Sequence, residues 1–178
     1  MNNDILEIMI TAEEIGKKAD ELAEEISRYF GEKEYIVVTI LKGSYIFSAD
    51  LVRRLSGNLS LDFMTASSYE GTNSTGKINI IQDLRVDIKG KPVLIVEDIV
   101  DTGRTLALIK EEFLNRGAEK VKICTLLNKS QARVVPIDID YVGFEIENKF
   151  VVGYGLDFNE KYRNLPYVGV LKPEVYDV

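Results

Sequence analysis

The chain contains no histidine. That excludes Ser-His-Asp and Cys-His catalysis and every His-based metal site. It has a single cysteine, Cys124, so no disulfide can close within the chain. Cys124 sits in the apolar run Val121–Leu127 and reads as a reduced core residue. No apolar run approaches the ~18 residues that a membrane span requires. The start, Met1-Asn2-Asn3-Asp4, lacks the basic and apolar regions of a signal peptide. The expected compartment is the cytoplasm. Positive charge is also in deficit, with 22 Lys and Arg against 29 Asp and Glu and a net charge of −7. This argues against nucleic acid as the main partner.

What remains narrows the chemistry. Acid–base work falls to carboxylates, Lys or Tyr, and any metal would be a hard ion held by oxygen. The 178 residues, 46% hydrophobic and 29% charged, suffice for one soluble domain with a sizeable core. There is no internal repeat, low-complexity tract or linker, so residues 1–178 are expected to form a single domain.

The pattern alternates strands and helices. Thr11-Ala12-Glu13-Glu14 matches a capping box, and Ile15, Leu22, Ile26 and Tyr29 follow at helical spacing, with an end near Gly31. Strands are expected at Tyr35–Leu41, Leu61–Ala66, Lys77–Gln82, Pro92–Glu97, Val121–Leu127 and Asp140–Ile146. Helices are expected at Ile46–Leu55 and Leu106–Arg116, the second capped by Gly117. Ser67–Gly76 is polar and Gly-bearing and reads as a movable loop. Phe150–Val170 reads as site-building loops with short strands. This order predicts an α/β fold with a mostly parallel sheet, its loops converging at one edge. That edge would hold Lys42-Gly43, the acidic turn described next, Asn128-Lys129 and Asp157.

The most informative stretch is Val93–Leu106. An apolar run becomes acidic at Glu97 and Asp98, adds Asp101, and passes through Thr102-Gly103-Arg104-Thr105 into a helix. Carboxylates at the C-terminal end of a parallel strand stand where open α/β sheets bind ligands. A Gly and Thr loop opening a helix offers N–H groups, hydroxyls and a positive dipole end to a phosphate. Acceptors for sugar hydroxyls beside donors for a phosphate read as a phosphorylated-sugar site. The stretch is neither a P-loop nor a dinucleotide fingerprint. An acidic protein that binds phosphate needs a charge remedy, and Mg²⁺ bridging carboxylates to substrate phosphates supplies one.

Glu97-Asp98-Ile99-Val100-Asp101-Thr102-Gly103-Arg104-Thr105 resembles the phosphoribosyl-diphosphate signature of the type I phosphoribosyltransferases. More narrowly, the chain is similar to their bacterial hypoxanthine-guanine branch over nearly its whole length. Leu41-Lys42-Gly43-Ser44 resembles the diphosphate loop, and Ser68-Tyr69 the start of a lid spanning about 67–77. Leu127-Asn128-Lys129, Phe150–Asp157 and Tyr162-Arg163-Asn164-Leu165-Pro166 match the purine-reading lysine, the base-stacking segment and a diphosphate arginine, in the same order.

The resemblance implies the type I phosphoribosyltransferase fold, with helices flanking the sheet and a small hood built from the N- and C-terminal segments. It implies transfer of the 5-phosphoribosyl group from phosphoribosyl diphosphate to hypoxanthine or guanine, giving IMP or GMP and diphosphate, with Mg²⁺. Asp101 is then the general base. Glu97 and Asp98 bind the ribose hydroxyls, and Asp101, Thr102, Gly103, Arg104 and Thr105 hold the 5′-phosphate. Leu41, Lys42, Gly43 and Arg163 meet the diphosphate. Lys129, Phe150, Val151, Leu156 and Asp157 meet the purine, and Glu97, Asp98 and Asp157 hold the metal. The family's peptide at Leu41-Lys42 can be cis, and it assembles as homodimers or homotetramers. Two alternatives stay open: a relative preferring xanthine, and a phosphoribosyl-diphosphate-binding regulatory protein of the same fold. The second should carry a basic surface or an extra DNA-binding domain, and this chain is acidic with no spare segment.

Overall fold

A computed structural model describes residues 3–68 and 78–176. The lid position Tyr69 and most of the 67–77 loop lie outside the described residues; Ser68 ends a strand. Among the described residues the elements run β1 (Ile5–Ile10), α1 (Ala12–Phe30), β2 (Glu34–Ile40), α2 (Tyr45–Val52), β3 (Asn58–Ser68), β4 (Ile78–Gln82), β5 (Pro92–Val100) and α3 (Arg104–Asn115). They continue as β6 (Lys120–Asn128), β7 (Tyr141–Glu145), β8 (Val151–Val152), β9 (Val168–Leu171) and α4 (Pro173–Tyr176).

Six strands form one sheet in the order β4-β3-β2-β5-β6-β7. All its pairs are parallel except β3–β4 at the edge. Three form the hood in the order β1-β9-β8, all antiparallel, so the two ends of the chain meet there. The fold is that expected of the type I phosphoribosyltransferases.

Strand residues alternate between two cores. Tyr35, Val37, Leu94, Val96, Cys124 and Leu126 face α1 and α2, while Ile36, Val38, Val93, Ile95 and Ile123 face α3. Both faces of β2, β5 and β6 are covered, which is why these strands read as unbroken apolar runs.

Helix α1 forms as its ends dictate. The Glu14 N–H donates to Thr11 Oγ1 and the Thr11 N–H donates to Glu14 Oε2, a complete capping box. Its buried stripe is Ile15, Ala19, Leu22, Ala23, Ile26 and Phe30. Tyr29, expected on that stripe, is 43% exposed, because the last step inward is from Ile26 to Phe30. Phe30 stacks on Tyr35 with ring centroids 4.0 Å apart, and Tyr29 carries the Lys122 ammonium over its ring at 5.0 Å.

Helix α3 ends in a Schellman motif. Gly117 has φ +87°, its N–H donates to the Leu114 carbonyl, and the Ala118 N–H donates to the Phe113 carbonyl. Strand β5 runs past its expected end at Glu97 to Val100, because β6 stays in register beside it to Asn128. Glu97 and Asp98 are therefore strand residues, held on a rigid element rather than on the following loop.

Cys124 is fully buried, and burial pushes its thiol well above the ordinary range. A thiolate is the reactive form. We expect no labelling of the native protein by a thiol reagent and one thiol labelled in denaturant. Labelling of native protein within minutes would contradict this packing.

Candidate active site

Beyond the C-terminal ends of the parallel strands lies a cleft of about 310 Å³. One wall is the turn between β2 and α2, with Leu41, Lys42 and Gly43; the other is Glu97 to Thr105. The peptide between Leu41 and Lys42 is cis. Residues more than fifty positions apart meet here because β2 and β5 are parallel neighbours.

Close approach fixes the Lys42-Gly43 turn. A Cβ on Gly43 would stand 1.6 Å from Asp98 Oδ2. A Cβ on Gly155 would stand 2.0 Å from the Gly43 carbonyl oxygen. The turn is thus pressed between a site carboxylate and the hood. Tyr154 fastens the hood from beside Gly155, donating its hydroxyl to Asp50 Oδ2 of α2 at 2.5 Å.

The acid pair is anchored to backbone. The Asp98 N–H donates to Glu97 Oε1 at 3.2 Å, and the Ile99 N–H donates to Asp98 Oδ1 at 2.7 Å. Burial, and then the charge of Asp98, push the Glu97 carboxyl well above the ordinary carboxylate range. Asp98 is raised chiefly by burial, against the hydrogen bond from Glu97 and its backbone donors.

The phosphate turn follows. Asp101, Thr102 and Arg104 are exposed, and Gly103 is buried at φ +80° as the N-cap of α3. A Cβ at Gly103 would meet the Val135 carbonyl oxygen at 2.9 Å. Arg133, which the sequence pattern did not single out, braces this turn from behind. Its Nε donates to the Asp101 carbonyl at 3.1 Å, and its Nη2 donates to Asn128 Oδ1. The N–H groups of Val134 and Val135 both donate to the Thr102 carbonyl at 3.0 Å.

Arg163 and Asp157 come together at the hood side. Arg163 Nη2 lies 2.9 Å from Asp157 Oδ1, and Nη1 donates to the Gly155 carbonyl at 2.8 Å. Arg163 Nε is buried with no partner among the described residues. Glu160, also not anticipated, joins Arg163 at 3.1 Å to Lys42 at 2.9 Å.

The expected purine residues do not line the cleft itself. Lys129 adjoins it, its N–H donating to the Val100 carbonyl at 2.9 Å. The residue is only 7% exposed. Phe150 is 38% exposed and stacks on Tyr176 at 4.8 Å, with the edge of Phe158 at 5.6 Å. Val151, next to it in the chain, and Leu156 are buried. The three acids expected to hold a metal form no ready cage. Among the described residues no group of three or more acids or cysteines is set to bind one. Glu97 and Asp98 adjoin, whereas Asp157 is engaged by Arg163 and by the Glu160 N–H.

Residues 9–159 match the phosphoribosyl transferase domain family. The chain is 51% identical over 177 residues to a hypoxanthine-guanine phosphoribosyltransferase of Streptococcus pneumoniae, covering 99% of this chain and 98% of that one. It is 51% identical over 174 residues to its namesake in Lactococcus lactis, covering 97% and 94%. The crystal structure of a hypoxanthine phosphoribosyltransferase from Staphylococcus aureus superposes with a TM-score of 0.94 at 48% identity, covering 98% and 95%.

The raised Glu97 pKa carries a stability consequence. A carboxyl whose pKa rises on folding destabilises the fold as pH climbs above its unfolded value, ~4.3. Glu97→Gln should therefore raise the Tm of the ligand-free protein near neutral pH by roughly 2–4 °C. The gain should vanish below about pH 4, where both states are protonated. A lowered Tm at neutral pH, or an equal gain at both pH values, would be inconsistent with a strained acid pair.

Proposed function

The chain belongs to the phosphoribosyl transferase domain family, and from that membership we propose that it is a purine-salvage enzyme, a hypoxanthine-guanine phosphoribosyltransferase. It transfers the 5-phosphoribosyl group of phosphoribosyl diphosphate to hypoxanthine or guanine and yields IMP or GMP and diphosphate. The observation that carries the reading is the cleft, where the acidic end of β5 and the start of α3 face the Lys42-Gly43 turn. The occupant must offer hydroxyls to carboxylates, a monophosphate to a helix N-terminus, and a second anion to the facing turn.

Each residue then has a task. Thr102, Gly103, Arg104 and Thr105 grip the 5′-phosphate with N–H groups, hydroxyls and the dipole of α3. Glu97 and Asp98 accept from the ribose hydroxyls, and their negative charge favours the cationic character that the sugar gains as its bond to diphosphate breaks. Asp101 takes the proton that leaves the purine ring nitrogen as that nitrogen joins C1. Lys42, the Leu41 and Gly43 backbone and Arg163 hold the diphosphate. Phe150 stacks on the purine, with Val151 and Leu156 reading its remaining edge.

The donor chemistry suits Mg²⁺, which takes oxygen ligands and is commonly held by one or two carboxylates together with substrate phosphates. Glu97, Asp98 and Asp157 are the residues that would hold it. When bound, the ion would offset the charge of the diphosphate. Among the described residues no helix is long and apolar enough to cross a membrane. The hood and the exposed apolar residues of β1, Leu6 and Ile8, fit a homodimer or homotetramer.

Lys129 supports the choice of base. An ammonium has three donors and no acceptor, and the O6 of hypoxanthine or guanine is an acceptor it can donate to. Adenine has an amino group there, so donor would face donor. Rates with hypoxanthine, guanine, xanthine and adenine test this. Adenine should fall short of hypoxanthine by roughly 10⁴ in kcat/KM, and Lys129→Gln should narrow that gap. Adenine use within tenfold of hypoxanthine would refute the reading.

Asp101→Asn keeps the shape of the side chain but cannot accept the proton. It should lower kcat by ~10²–10⁴-fold with little change in the KM of phosphoribosyl diphosphate. A loss smaller than threefold at neutral pH would remove Asp101 from the role of base.

A further inference from the structure

Lys42 and Arg163 lie in different parts of the fold, one on the β2–α2 turn and the other in the segment leading to β9. Two like charges facing one site repel unless an anion lies between them. Here that anion belongs to the protein. Glu160 Oε1 is 2.9 Å from Lys42 Nζ, and Glu160 Oε2 is 3.1 Å from Arg163 Nη2. One carboxylate, with one oxygen for each cation, spans the pair.

Its placement is built into the backbone. Glu160 has φ +60° and follows Asn159 at φ +51°. Side-chain-bearing residues seldom take this left-handed conformation, and a run of two is a marked departure. The Glu160 N–H is held by Asp157 Oδ2 at 2.8 Å, which fixes the turn that presents the side chain. Arg163 is restrained as well, through Asp157 and the Gly155 carbonyl.

We propose that Glu160 is a positioning residue that stands in for the diphosphate, bridging Lys42 and Arg163 and giving way when diphosphate arrives. This rests on reading Lys42 and Arg163 as the diphosphate ligands. Arg163 Nη2 already serves the carboxylates of Asp157 and Glu160, and Lys42 Nζ serves Glu160, so a diphosphate held by the same two cations competes with Glu160 and displaces it. Its exposed position leaves room for that, since 64% of the side chain is open to solvent. A glutamate carboxyl is ionised at neutral pH, so Glu160 competes as an anion. The competition has two effects. The cations stay gathered when the site is empty, and the product diphosphate faces a rival that favours its departure.

Glu160→Gln keeps the length of the side chain and removes the rival charge. Titration of inorganic diphosphate with Mg²⁺ into the full-length variant, followed by calorimetry, should give a Kd at least twofold lower than wild type, with a fall of about three- to tenfold expected. Binding of IMP, which carries no diphosphate, should stay within twofold. A diphosphate Kd that falls by less than twofold or rises overturns the proposal, as does an equal gain for IMP. Lys42→Met separates this from the underlying reading. If Lys42→Met weakens diphosphate while Glu160→Gln fails to tighten it, only the role of Glu160 falls. If Lys42→Met leaves the Kd unaltered, the diphosphate is held elsewhere and both fall.

Discussion

The Asp98 carboxylate occupies the place where residue 43 would carry a side chain, and the backbone of Gly155 closes on the same residue from the other side. Two absent side chains therefore set the distance between the acidic strand end, the Lys42-Gly43 turn and the hood. The contact is steric, and sterics are unforgiving: a methyl group at either glycine would overlap backbone or a site carboxylate, with no flexible end to move aside. Every other relation in the cleft follows from it. Lys42 can reach Glu160, and Glu160 can reach Arg163, only because the hood lies this close to the sheet.

The second constraint is electrostatic. The protein places Glu97 and Asp98 side by side on a rigid strand, where burial disfavours the charge of both and the charge of Asp98 further disfavours that of Glu97. Such an arrangement lowers stability, and proteins retain it where a ligand repays it. Further along the same wall the logic reverses. Backbone N–H groups and the dipole of α3 provide positive potential without adding a formal charge that would collapse onto the acids. Arg133 does carry a charge, but turns it backward onto the Asp101 carbonyl and Asn128. It shapes the phosphate turn without entering it.

How much of this could be read from the chain itself depended on range. The start of α1 was legible because both halves of its capping box lie within four residues. The parallel core was legible because strands covered on two faces lose their polar alternation, as in β2, β5 and β6. The acidic turn was legible because strand, acids, glycine and helix are contiguous. Among the misplacements, Tyr29 is carried outward by a single helical step, β5 is extended three residues by β6, α2 stops at Val52 rather than Leu55, and β1 was not anticipated as a strand, since its partner β9 lies at the other end of the sequence. Arg133 and Glu160 carried no local signal. Arg133 acts through backbone carbonyls that any residue offers, and Glu160 meets Lys42 across 118 positions. The Tyr154–Asp50 contact spans 104. Pairings of that kind exist only once the fold exists.

The hood has a consequence for the life of the molecule as it is made. Strand β1 comes early in the chain and β9 late, and the two lie side by side, with β8 on the far side of β9. A ribosome releases residues at about 5–20 per second, so β1 emerges many seconds before its partner. The six-stranded sheet can assemble in the meantime from segments that leave the tunnel in order. The hood cannot, and without it Arg163 and Glu160 have no fixed place. Until β9 has emerged, a growing chain lacks the strand against which β1 and β8 pair, and the segment that carries Glu160 and Arg163 has no sheet to close on.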